Sequence, residues 1–125
     1  MYTIAVKRDF IARHYLIGGD WGLENYEHAH HYRLEVQIEG SELDVHGYLV
    51  DIVDIESRLE SIVKRYRDQV LNNLPQFDGL NPSIEHFARI LSEEFVSGLE
   101  TGSMDAVTLK LWENEIAWAS FRREC

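Results

Sequence analysis

The chain has 125 residues, 45% hydrophobic and 27% charged, a balance that suits a single folded domain over residues 1–125 with a buried core. Its 22 acidic against 12 basic residues give a formal net charge of -10, which argues against a nucleic-acid or anionic-membrane surface. The single cysteine, Cys125, excludes an intramolecular disulfide and a cysteine-based zinc knuckle, and charges at Lys7, Arg8 and Asp9 interrupt the stretch where a secretory leader needs an apolar core, so a cytoplasmic protein is expected.

From Tyr2 to His14 the even positions, Tyr2, Ile4, Val6, Phe10 and Ala12 among them, are mostly apolar, while Lys7, Asp9 and Arg13 alternate with them. This predicts a long, half-buried strand. Gly18 to Glu27 reads as a loop that carries Trp21 and Leu23, and loops of that length often carry function. A second strand follows from His30, with Tyr32, Leu34, Val36 and Ile38 on one face and Arg33, Glu35, Gln37 and Glu39 on the other, ending at Gly40.

His46 to Ile52 reads as a short strand, and from Asp54 the spacing of Ile55, Leu59, Ile62, Val63 and Tyr66 predicts a first helix. The turn-rich stretch Asn72 to Ser83 leads into a second helix opened by Pro82 or Ser83, with an apolar stripe of Ile84, Phe87, Ala88, Leu91 and Phe95 and a stop at Gly98. Two alternating runs around Asn114 and Glu115 predict a closing hairpin. The expected class is α+β, an antiparallel sheet with both helices on one face.

His28 and His30 share the parity of Tyr32 and Leu34, and His14 shares that of Phe10 and Ala12, so all three project to the apolar side. If the first two strands pair, three imidazoles converge at one end of the sheet, and three histidines with an open fourth position describe a catalytic zinc site. His31 faces the other way, and His46 and His86 lack partners in the local pattern. Glu113, read from the pattern alone, is a solvated charge at a strand end.

The motifs resemble one family in order along nearly the whole chain: FIARH its F-x-A-x-H, HAHHY its H-G-H-x-Y, GYLVDI its G-x-x-x-D-F, LNNLP its L-N-D-x-P, NPSIEHFA its N-P-T-x-E-N-x-A and LWEN its x-x-E-T. That family is the 6-pyruvoyl-tetrahydropterin synthases, with the bacterial 6-carboxy-tetrahydropterin synthases. The resemblance implies a tunnelling fold, a four-stranded antiparallel sheet with two antiparallel helices on one face, assembled into an oligomeric barrel of three or six copies with active sites between subunits. It implies zinc on His14, His28 and His30, a pterin ring anchored by Glu113, and Ser83 in place of a substrate-side threonine.

Two positions depart from the family pattern. Glu24 stands where the family's cysteine usually lies, as it does in members associated with cleaving 7,8-dihydroneopterin triphosphate to 6-hydroxymethyl-dihydropterin. Where the family has an Asp-His relay, the alignment supplies Arg67 and Asp68, or Asp68 and Gln69, and no histidine. The expected function is therefore a zinc-dependent lyase acting on dihydroneopterin triphosphate, with Glu24 as acid and base and Asp68 as an auxiliary. The product is 6-hydroxymethyl-dihydropterin, 6-pyruvoyl- or 6-carboxy-tetrahydropterin. The alternatives are a zinc enzyme on another pterin or purine-like substrate, with Arg67 meeting a phosphate or carboxylate, and a pterin-binding or structural oligomer without turnover.

Overall fold

The computed structural model describes residues 1–125. Four strands, β1 (Tyr2–His14), β2 (His28–Gly40), β3 (Ala106–Trp112) and β4 (Trp118–Glu124), form one antiparallel sheet in that order. The β1–β2 register runs unbroken from Tyr2 opposite Gly40 to His14 opposite His28. One parity of these strands therefore lies on a single face, and it is the apolar one.

That face is covered by two helices, α1 (Ile52–Tyr66), packed on β1, and α2 (Ile84–Val96), packed on β3 and β4. Phe87 is fully buried at the centre, its ring centroid 6.0 Å from Phe10, 5.3 Å from Tyr32, 5.1 Å from Tyr66 and 5.4 Å from Phe77. These distances are those of edge-to-face aromatic packing. Leu34, Val36 and Ile38 of β2 and Leu109 and Leu111 of β3 complete the core.

The helices begin where the sequence supplies caps. Ser83 accepts the His86 N–H at 3.2 Å, so α2 opens at Ile84, and Gly98, with φ of 72°, takes the left-handed turn after its end. The short strand expected over 46–52 does not form. The Asp44 carboxylate instead accepts the N–H groups of His46 at 2.8 Å and Tyr48 at 3.0 Å, which curls the chain into a turn with Gly47 at φ 86°. Asp51 then accepts the Val53 N–H at 2.9 Å, so α1 starts at Ile52 rather than at Asp54.

After α1 the chain crosses to the outer edge of β1. Asp68, at φ 62°, donates its N–H to Ile11 O at 2.7 Å, and Arg13 N–H reaches Gln69 O at 2.8 Å. This contact anchors the end of β1 that carries His14. No helix is long and apolar enough to cross a membrane.

Candidate metal centre

His14 and His28 stand opposite each other at the last pair of the β1–β2 ladder, and His30 follows two residues along β2 on the same face. Strand parity therefore delivers three imidazoles to one point. Their ligand nitrogens all lie within 4.8 Å of one another, and the ring centroids are 4.6 to 4.8 Å apart. His14 is buried, while His28 and His30 are partly exposed.

The hydrogen bonds fix how two of these rings present themselves. His14 Nδ1 lies 3.0 Å from Pro82 O, and His28 Nδ1 lies 2.8 Å from Tyr26 O. A carbonyl only accepts, so each Nδ1 carries the proton and each neutral ring turns an Nε2 lone pair inward. Those two Nε2 atoms are 3.0 Å apart. His30 Nε2 is buried without a hydrogen-bond partner. Lone pairs directed at each other repel, and a cation between them removes the conflict, so this donor set fits a metal ion.

Glu113 completes the cluster. In β3 the odd residues Val107, Leu109 and Leu111 face the core, and the same parity carries Glu113, just past the strand end, to the imidazole side. Its Oε1 lies 3.0 Å from His30 Nε2 and 3.6 Å from His14 Nε2. The reading of Glu113 as a solvated terminal charge is thereby corrected; its inward parity was the signal. Contact with His30 outweighs burial and holds its carboxyl below the usual carboxylate range. Burial, with smaller contributions from the His30 and His28 charges, lowers the His14 pKa to about 4. The Tyr32 hydroxyl, 3.2 Å from His14 Nδ1, is held protonated by burial and by the Glu113 charge.

The support behind His14 comes from residues that the sequence pattern presents only as turn formers. Asn72 receives the Tyr15 N–H on Oδ1 at 2.9 Å and donates its amide to Tyr15 O at 2.8 Å. Asn81 Oδ1 accepts the Ile17 N–H at 2.9 Å. Pro82 supplies the carbonyl to His14, and its neighbour Ser83 spends its hydroxyl on the α2 cap.

Glu24 and Asp68 lie apart from this cluster. Glu24 is exposed in a 3-10 turn, Gly22–Asn25, although its carbonyl accepts the Leu16 N–H at 2.9 Å and so ties the turn to the chain just beyond His14. Asp68 is exposed beside β1. No hydrogen bond or ion pair joins either side chain to the three histidines. Arg67 pairs with Glu60 at 3.3 Å. A cavity of about 340 Å³ opens beside His30, lined also by Arg33, Trp112, Glu113, Asn114 and Glu115. A larger cleft of about 880 Å³ lies between α1 and the loop after α2, away from the imidazoles.

The family described as 6-pyruvoyl tetrahydropterin synthase matches residues 3–124. The chain belongs to that family. Its fold is similar to the Caenorhabditis elegans 6-pyruvoyl tetrahydropterin synthase, with TM-score 0.82, 18% identity, and coverage of 99% of this chain and 95% of that one. It is similar to the Plasmodium vivax 6-pyruvoyl tetrahydropterin synthase, with TM-score 0.83, 13% identity, and coverage of 99% and 98%. A variant of the P. vivax protein, described as carrying alanine in place of a catalytic glutamate, matches at TM-score 0.76 and 15% identity over 99% and 98%. No curated protein sequence matches the chain. The four-stranded sheet with two helices is thus the tunnelling fold of a family of pterin-metabolism lyases.

Proposed function

We propose that the protein is a zinc-dependent lyase acting on 7,8-dihydroneopterin triphosphate, with 6-hydroxymethyl-dihydropterin as its product. The observation that carries this reading is the meeting of His14, His28 and His30 with the Glu113 carboxylate beside a cavity of about 340 Å³. Three neutral imidazoles suit zinc better than magnesium, and bound zinc supplies a positive charge that polarises the hydroxyls of the pterin side chain.

The protein's own groups divide the remaining work. The Glu113 carboxylate accepts two parallel hydrogen bonds from the ring N–H and the exocyclic amino group of the pterin, which sets its orientation. Glu24 takes the proton from the C2′ hydroxyl. The C1′–C2′ bond then breaks, its electron pair passing into the C6–N5 unit of the ring, and a proton returned to C1′ completes the hydroxymethyl product. The C2′–C3′ fragment leaves as an aldehyde with its triphosphate. Asp68 assists proton transfer, and Ser83 stands on the substrate side.

Glu24 is favoured as the acid and base by the tie between its turn and Leu16, and by the P. vivax protein, in which a glutamate is described as catalytic. A homo-oligomer, three or six copies with sites between subunits, would bring further groups to the cavity. The open edge of β4 supports such pairing.

The test is incubation of the zinc-loaded protein with 7,8-dihydroneopterin triphosphate and identification of the pterin product by mass spectrometry, with Glu24→Ala alongside. Formation of 6-hydroxymethyl-dihydropterin that Glu24→Ala abolishes supports the reading. A pyruvoyl or carboxy product transfers it to the sister activities, and no product from a protein that binds zinc and pterin ends it.

A further inference from the structure

We propose that Glu113 is the fourth ligand of the metal in the substrate-free protein, so that its carboxylate serves the metal first and the pterin ring second. This rests on the reading of His14, His28 and His30 as a metal centre.

The positions of the donor atoms carry the inference. Glu113 Oε1 is 3.0 Å from His30 Nε2 and 3.6 Å from His14 Nε2, and the Nε2 atoms of His14 and His28 are 3.0 Å apart. Tetrahedral zinc, with bonds of about 2.0 to 2.2 Å, spaces its ligand atoms roughly 3.3 Å from one another. The two carboxylate contacts and the His14–His28 nitrogen pair fall on either side of that value, while the three imidazole nitrogens as a set spread to 4.8 Å, so the carboxylate oxygen sits at least as close to a common centre as the nitrogens do.

An ion pair with His30 alone explains the arrangement less well. At 3.0 Å the two groups are close, yet the same Oε1 also lies 3.6 Å from His14 Nε2, which a pairing with His30 alone does not require. It sits between two imidazoles, as a ligand to a common centre does.

The backbone suits a carboxylate with two destinations. Glu113 donates its N–H to Ala117 O at 3.2 Å, and Asn114 Oδ1 accepts the N–H groups of Ile116 and Ala117, both at 2.9 Å. The turn is thus pinned while the side chain, 26% exposed, borders both the imidazoles and the cavity. Arrival of a pterin would draw the carboxylate to the ring and free one position on the metal, so the site would open only for a molecule able to hold Glu113.

The experiment loads the full-length protein, Glu113→Gln and Glu113→Ala with Co²⁺, and reads the visible absorption and the affinity against a chromophoric chelator. Neopterin is then added to each, circular dichroism confirms folding, and His28→Ala serves as the control for the metal centre. The proposal expects both Glu113 variants to change the Co²⁺ spectrum and weaken binding about 10-fold or more, and neopterin to change the spectrum of the unsubstituted protein toward theirs. Identical spectra and affinities in all three folded proteins overturn the fourth-ligand role and leave the three-histidine centre intact. Absence of Co²⁺ binding in the unsubstituted protein overturns the metal centre itself, and the proposal with it.

Discussion

His14 and His28 face each other across the last pair of the β1–β2 ladder with their Nε2 atoms 3.0 Å apart and both Nδ1 atoms turned to backbone carbonyls. Two lone pairs at that distance are a source of strain in the metal-free protein and of affinity in the loaded one. Removal of the metal by a chelator is expected to lower the melting temperature. With free zinc at 100 times its dissociation constant, the loss is about 2.7 kcal/mol, or roughly 10 °C for a chain of this size. Differential scanning calorimetry checks it; a melting temperature indifferent to zinc, or an equal zinc response in His28→Ala, rejects the site.

The same burial predicts a pH dependence of the metal-free protein. His14 is 1% exposed, and burial lowers its pKa to about 4 from the ordinary histidine value of about 6.5. A folded-state value below the unfolded one means that the unfolded chain takes up the proton first. Stability is therefore whole above about pH 6.5 and declines as pH falls toward 4, by at most roughly 3 kcal/mol. Glu113, also lowered, loses its contribution only below the usual carboxylate range, so the upper part of the window belongs to the histidine. Urea unfolding between pH 7.5 and 4.5 should show this slope, and His14→Gln should flatten it.

Asn72 holds both backbone groups of Tyr15, the residue after His14. Asn72→Ala is expected to cost about 2 kcal/mol of stability, from two lost hydrogen bonds, and to weaken zinc binding about 10-fold by loosening His14. Denaturation together with metal competition tests both effects. Unchanged zinc affinity in a destabilised protein would confine Asn72 to a role in folding.

Glu24 lies in an exposed turn, and its side chain forms no hydrogen bond or ion pair with the imidazoles. Glu24→Gln should therefore leave zinc content and melting temperature unchanged while lowering kcat about 100-fold or more, the scale of a lost general base. Steady-state kinetics decides this, and undiminished turnover would move the proton transfer to another group.

Phe87 joins α2 to the rings of Phe10 and Tyr32 on the strands that carry the histidines. Phe87→Ala is expected to destabilise the protein by about 3 to 5 kcal/mol through the cavity it leaves. Chemical denaturation measures it, and a loss under about 1 kcal/mol would mean that the aromatic centre collapses around the gap.

The sheet was legible in the sequence because β1 and β2 alternate over most of their length, and the same parity puts His14, His28 and His30 on one face. Segment 46–52 misled because alternation there is short, and the carboxylates of Asp44 and Asp51 capture nearby N–H groups. Glu113 was legible from the parity of Leu109 and Leu111, yet its place at a hairpin end disguised it. The roles of Asn72, Asn81 and Pro82 were not legible. Their contacts to Tyr15, Ile17 and His14 span 57, 64 and 68 residues, and no local pattern records such a distance.

One hairpin supplies all three imidazoles, while Pro82 arrives after α1 and Glu113 only after β3. As the chain emerges from the ribosome, the imidazoles come first, the carbonyl that orients His14 follows, and the carboxylate comes last. An isolated pair of strands is marginal in water, so the nascent site gathers its nitrogen donors early but gains a fixed shape only when the later segments close over them. Biogenesis thus separates the acquisition of donors from the moment at which the pocket becomes selective.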